Sequence, residues 1–165
     1  MEVLKVDENL EMRVTTMREK DALVSLVVEN LDHLHRWMAW ATKPYDSKKT
    51  VEFIERVEKA YAEKTEFPTV IFSDGKPSGT LGLFGLDEVN KSGEIGYWLA
   101  QNQQGKGIVT RCCKTMIDHG FNELNLNRIV IKCAVENYKS QAIPERLGFT
   151  KEGEMRQERW HRDRF

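Results

Sequence analysis

The chain has 165 residues, which against a domain size of roughly 150 residues leaves room for about one domain and argues against a catalytic unit joined to a separate regulatory one. A hydrophobic content of 40% can fill a sizeable core, while 31% charged residues and a mean hydropathy of -0.56 describe a water-facing surface, so disordered and membrane-spanning classes both fit badly. Twenty-five Lys and Arg against 26 Asp and Glu leave a formal charge of -1, so no global field favours nucleic acid or an anionic membrane, and any anion site has to be local.

Near the start, Glu2, Lys5, Asp7 and Glu8 interrupt anything resembling the apolar stretch of a signal peptide. No run reaches membrane-spanning length. Cys112 and Cys113 are adjacent and Cys133 stands alone, so there is no CxxC pair and an odd thiol is left under any intrachain pairing. A reducing cytoplasm is the expected compartment.

Leu10, Met12 and Val14 alternate with Glu11 and Arg13, which predicts a half-buried strand. Helical spacing follows over Ala22 to Asn30 and over Leu31 to Trp40. Residues 41–46 read as a loop, and Ser47 is placed to cap a helix whose apolar stripe is Val51, Ile54, Val57 and Tyr61. After Pro68 the texture turns to strand: 69–72, an Asp74-Gly75 turn and 80–86 predict an antiparallel hairpin, and 94–100 a further strand. A helix from about Gly107 to Leu124 and a β-branched run over 128–135 then give strand, helix and strand in short succession, the order of a parallel right-handed βαβ unit. A short helix spans Asn137 to Leu147, Gly148 supplies a left-handed stop, and Phe149 onward returns to strand-like texture.

Chemistry concentrates in the loop Gln101-Asn102-Gln103-Gln104-Gly105-Lys106-Gly107, between the carboxyl end of a strand and the amino end of a helix. Unpaired N–H groups at a helix start and the helix dipole favour a phosphate, glycines let the backbone approach it closely, and Lys106 adds local positive charge. An ordinary glycine-containing turn is the plain alternative. A dinucleotide fingerprint needs a third glycine where Thr110 stands, and a P-loop needs Ser or Thr after Lys106, where Gly107 stands.

Several segments occur together in one order: Glu94-Ile95-Gly96-Tyr97-Trp98-Leu99, Gly105-Lys106-Gly107-Ile108 with Thr110, Asn137-Tyr138-Lys139-Ser140, and Glu145-Arg146-Leu147-Gly148-Phe149 followed by Glu152-Gly153 and Arg156. In this the chain resembles the GNAT acetyltransferases, and within them the group that acetylates the amino termini of ribosomal proteins, most strongly from about residue 80 to 160. The resemblance implies an α/β (α+β) fold over 1–165, with a mixed, mostly antiparallel sheet and a central parallel βαβ unit flanked by helices. It implies acetyl-CoA as cosubstrate, held in the gap between two splayed strands with its pyrophosphate on Gln104, Gly105, Lys106, Gly107, Ile108, Val109 and Thr110. Leu99 and Ala100 would lie along the pantetheine, with an N–H near Leu99 for the oxyanion. The acetyl group would pass directly to an amine, which requires neither a metal nor a protein nucleophile.

Many members carry a tyrosine four residues before the Gly of the Gly-Phe pair, and here that position is Pro144. The resemblance therefore assigns proton donation to Ser140, with Asn137 supporting the pantetheine or the helix start. The plain alternative is that Asn137 only caps and Ser140 only frees a carbonyl near a proline-perturbed turn. Glu94 is the nearest strand carboxylate for a base acting through water. A free α-amine, with a pKa of roughly 7.7–8.0, is about a tenth neutral at pH 7 and needs less help than a lysine near 10.4, which favours α-amine acceptors. Trp37, Trp40 and Tyr97 are candidates for the acceptor wall.

Two departures stand out. The loop signature opens with Gln or Arg where Asn102 stands, and relatives usually continue past a segment like 156–165 into one further strand, so the sheet is expected to lack that strand. An open edge would favour a homo-oligomer. The cysteines read as buried packing, and His33, His35, His119 and His161 show no metal-ligand spacing. The arginines of 156–164 read as a solvated segment and not an RNA patch. Beside the protein α-amine, the sequence leaves open a polyamine or aminoglycoside acceptor, and a CoA-binding or ribosome-associated module without catalysis.

Overall fold

The computed structural model describes residues 2–161. Strands β1 (Val3–Lys5), β2 (Leu10–Val14), β3 (Phe67–Ser73), β4 (Lys76–Asp87), β5 (Ser92–Leu99) and β6 (Arg128–Ile131) form a six-stranded sheet in chain order. The first five pair antiparallel with their neighbours, and β5 and β6 run parallel, joined by α4 (Ile108–Asn122). The expected βαβ unit is present, but it stands at one end of the described sheet and not at its centre. The other helices are α1 (Lys20–Glu29), α2 (Leu31–Trp37), α3 (Lys48–Ala62) and α5 (Tyr138–Arg146).

Alternation in β2 is realised directly, with Leu10, Met12 and Val14 buried. β3 is buried continuously from Phe67 to Phe72, as a strand covered on both faces must be. The hairpin between β3 and β4 turns at Asp74 and Gly75, both with positive φ (51° and 73°), the conformation that matches the twist of the flanking strands. Ser47 occupies the residue before α3 but its side chain caps nothing. Asp46 does so instead, its Oδ1 accepting the Lys48 N–H at 3.0 Å.

The sheet buries both faces. On one, Met12, Ile71, Leu81, Leu83 and Ile95 pack against Ile108, Cys112, Cys113 and Met116 of α4. Both cysteines are wholly enclosed, and burial pushes the Cys112 thiol up to about 12, so it packs as a small apolar group. On the other face, Val70 and Phe72 meet Leu23 of α1 and Ile54 of α3, while Trp98 bridges this cluster and one built on Val27, Leu34 and Ala41.

Three expectations are corrected at the edges. β1 is a strand that its three charged-flanked residues did not announce, and it pairs Val3 with Arg13. β6 stops at Ile131, four residues short of the expected 135. Residues 150–160 form no strand: they are exposed throughout, and are held to β6 and the residue after it by ion pairs of Arg128 with Glu152 and of Lys132 with Glu158. Arg162, Asp163, Arg164 and Phe165, and with them the expected lack of a further strand, lie outside the described residues. Among the described residues, no helix is long and apolar enough to cross a membrane.

Leu83 is 0% exposed, and a Cβ built on either Gly93 or Gly120 would fall 3.3 Å from its side chain. Such a site has little room to collapse, so Leu83→Ala is expected to cost about 2–5 kcal/mol, measured as a lower urea midpoint at unchanged slope.

Candidate active site at the parting of two strands

β5 and β6 pair for four residues, from Ser92 with Arg128 to Ile95 with Ile131. β5 then runs on beside β4 as far as Leu99, opposite Gly79, while β6 has ended. Past Ile95 one edge of β5 has no strand neighbour among the described residues, and a cleft of about 570 Å³ opens there. It draws walls from both faces of the sheet: Leu34, Trp37, Met38 and Trp98 on the side of α1–α3, and Tyr97, Leu99 and residues of α4 and α5 on the other. Its size suits a small-molecule site.

One end of the cleft is the loop that leads into α4. Gly105 and Gly107 have φ of 78° and 69°, and a Cβ built on either would meet nothing within 4 Å. The backbone ladder of α4 begins with the Arg111 N–H donating to Gly107 O at 3.1 Å, so the amides of Ile108, Val109 and Thr110 precede it. A left-handed, side-chain-free backbone in front of a fifteen-residue helix fits a phosphate group, and Arg146 of α5 adds a cation to the same wall. The loop is anchored from across the sheet. The Gln101 N–H donates to Asn30 Oδ1 at 2.8 Å, and Gln104 Nε2 lies 2.7 Å from His33 Nε2. Burial, then Lys139 and Arg36, hold the His33 pKa below its ordinary value.

At the other end, α5 starts with Asn137, whose Oδ1 accepts the Ser140 N–H at 3.2 Å. Ser140 Oγ lies 3.1 Å from the Tyr97 hydroxyl and donates to Cys133 Sγ at 3.3 Å. Burial pushes the Tyr97 pKa strongly upward, so the phenol stays protonated. Tyr97, Asn137 and Ser140 all line the cleft.

Of the residues singled out in the sequence, Leu99, Gln104, Gly105, Gly107, Ile108, Val109, Thr110, Asn137, Ser140, Trp37 and Tyr97 are gathered there. Four are not. Glu94 shares a sheet face with Trp98 but sits four residues earlier, roughly 13 Å along the strand, where Lys132 at 3.4 Å and Arg159 at 3.3 Å hold its carboxylate. Trp40 stands one ring behind the wall, 6.2 Å from Trp98 and 6.4 Å from Tyr45. Ala100 is 1% exposed, and its N–H is already given to Ser78 O at 2.8 Å. Lys106 turns its ammonium to Gln103 Oε1 at 2.9 Å. His33, Lys139 and Arg146 are cleft residues the sequence did not single out. Their only signal is position, one on α2 and two on α5, and nothing local ties either helix to the loop.

A mixed sheet whose parallel pair parts over a glycine-rich helix start defines an acyl-CoA-dependent transferase. Residues 11–150 match the acetyltransferase (GNAT) domain, and the chain belongs to that family. It is 37% identical over 153 residues to a putative ribosomal N-acetyltransferase, YdaF, of Bacillus subtilis (strain 168), covering 92% of this chain and 84% of that protein. It is 30% identical to the ribosomal-protein-serine acetyltransferase of Escherichia coli (strain K12), covering 99% and 92%. A structure of RimL, a ribosomal L7/L12 alpha-N-protein acetyltransferase in complex with coenzyme A, superposes with a TM-score of 0.94 at 27% identity, over 99% of this chain and 93% of that one. The chain is an acetyl-CoA-dependent N-acetyltransferase.

Two expectations follow from this geometry. Because Glu94 lies outside the cleft, Glu94→Gln should leave kcat within about twofold of the unaltered enzyme in steady-state assays. Because the folded state lowers the His33 pKa from 6.5, its stabilising contribution is complete above that value and is lost as pH falls through the lowered folded value. Melting temperature should therefore fall as pH drops below about 6.5, and less steeply in His33→Gln.

Proposed function

We propose that this enzyme acetylates the α-amino group of a protein N-terminus, with a ribosomal protein as the acceptor class. The observation that carries this reading is the charge of the cleft: among the described residues its wall includes His33, Lys139 and Arg146 but no Asp or Glu. Polyamines and aminoglycosides are polycations, and a wall without carboxylates offers them no counter-charge. The same lack leaves no carboxylate to deprotonate an amine, which suits an acceptor already partly neutral. At pH 7 about a tenth of an α-amine is neutral, against well under a thousandth of a lysine. Two of the relatives' names, a putative ribosomal N-acetyltransferase and a ribosomal-protein-serine acetyltransferase, agree with this acceptor class, while others are named spermidine N(1)-acetyltransferases.

In this reading the amides before the α4 ladder and Arg146 hold the phosphates of acetyl-CoA, and β5 presents its unpaired edge along the pantetheine. Trp37, Met38 and Trp98 exclude water on the acceptor side. As the amine nitrogen bonds to the carbonyl carbon and the carbon–sulfur bond breaks, Ser140 gives its proton to the departing sulfur and regains one from the new ammonium. Free coenzyme A thiol and a neutral amide are left. Asn137 fixes the first turn of α5 and so the height of Ser140 in the cleft.

Release of free thiol from acetyl-CoA separates the acceptor classes. A peptide with a free N-terminal Ser or Ala is expected to be turned over at least about tenfold more efficiently than the same peptide N-blocked with an internal lysine, or than spermidine. Preference for spermidine would overturn the acceptor assignment, and silence across the panel with coenzyme A still bound would indicate a binding module. Ser140→Ala should lower kcat by about a hundredfold while leaving acetyl-CoA affinity nearly intact.

A further inference from the structure

Tyr97 and Ser140 meet through an acceptor that the sequence of α5 leaves free. Inside a helix the carbonyl of Ser140 would receive the N–H of the residue four positions on. That residue is Pro144, within α5, and proline has no N–H to give. The Tyr97 hydroxyl donates to this carbonyl at 3.1 Å, and stands at the same 3.1 Å from Ser140 Oγ. A phenol has one proton, and with it on the carbonyl the phenol oxygen can only accept from Ser140 Oγ. Ser140 Oγ therefore has two acceptors within reach, that oxygen and the sulfur of Cys133, and it donates to the sulfur at 3.3 Å.

We propose that Tyr97 is a positioning residue for the transfer step: through the carbonyl that Pro144 leaves unpaired, it fixes the Ser140 hydroxyl with its proton aimed at a sulfur acceptor. At rest that acceptor is Cys133 Sγ, and in turnover the thioester sulfur of acetyl-CoA replaces it. The inference rests on the reading of Ser140 as the proton donor. Two further features support it. Tyr97 belongs to a strand clamped by β4, so its ring is set by the sheet and not by a loop. Burial also keeps the phenol protonated, so its donation does not lapse at working pH.

The test is steady-state kinetics with acetyl-CoA varied, on Tyr97→Phe, Pro144→Ala, Ser140→Ala and the pairwise combinations, with coenzyme A affinity and thermal melts measured on each. Tyr97→Phe is expected to lower kcat about tenfold while the KM for acetyl-CoA stays within about twofold. Pro144→Ala leaves the phenol untouched but supplies an N–H that claims the Ser140 carbonyl, so it should lower kcat in the same direction. Tyr97→Phe combined with Ser140→Ala should be no slower than Ser140→Ala alone, because both changes remove one device. If Ser140→Ala is slow while Tyr97→Phe and Pro144→Ala turn over at the unaltered rate, or if the losses multiply, the positioning role is wrong and the proton-donor reading survives. If Ser140→Ala itself keeps full kcat, the proton-donor reading falls and the inference with it. Should Tyr97→Phe lose coenzyme A binding or its cooperative melt, Pro144→Ala alone decides: a reduced kcat at intact affinity supports the role, and an unchanged kcat overturns it.

Discussion

The parting of β5 from β6 after four paired residues is the constraint on which the rest of the site depends. Hydrogen-bonded strands would close the sheet and leave no passage between its faces. Here β5 is kept in the sheet by β4 alone over its last residues. Gly79 permits the close approach that this requires: a Cβ there would lie 2.2 Å from the Trp98 carbonyl oxygen. β6 leaves the sheet at Ile131 and turns towards α5, with the Asn137 N–H on Ala134 O at 2.9 Å. The gap is then bordered at its two ends by the start of α4 and the start of α5.

Because successive side chains of a strand point to opposite faces, the last residues of β5 serve both layers at once. Ile95, Tyr97 and Leu99 belong to the face covered by α4, whereas Trp98 packs among residues of α1, α2 and α3. The cleft therefore threads the sheet, with the glycine-bearing loop on one side and an aromatic wall on the other. Contacts from Asn30 to Gln101 and from His33 to Gln104 tie the two sides together across the opening. A shift of the α1–α2 junction would be felt at the loop before α4, so the two walls are mechanically linked.

Much of this was legible in the sequence where the controlling interactions are local. Strand alternation, the Asp74-Gly75 turn, the glycines before α4 and the Asn137 cap each depend on residues a few positions apart, and all appear as expected. What was not legible depends on residues far apart in the chain. His33 meets Gln104 across 71 residues and Tyr97 meets Ser140 across 43, and no periodicity encodes such a meeting. The placement of Glu94 shows the same limit: its chemistry suits a base, but only the register of β5 reveals that it stands four residues before Trp98 and is held by two cations. The strand-like texture after Phe149 yields no strand over residues 150–160, which are exposed, since β-propensity needs a buried face to be expressed.

Near-zero net charge says nothing against a polyanionic ligand once charge is considered locally. Among the described residues the acidic side chains lie outside the cleft wall, several of them in surface pairs such as those of Asp7 with Arg111 and of Glu66 with Arg56. The cleft keeps only the opposite sign. Inside a half-enclosed, aromatic-walled space this imbalance acts through a lower dielectric than water, so a few fixed cations and oriented amides outweigh the chain's overall neutrality. Such a field disfavours a cation more than a neutral amine. Under the proposed function a single electrostatic arrangement would serve both substrates, holding the phosphates of one and favouring the other in the neutral form that can attack.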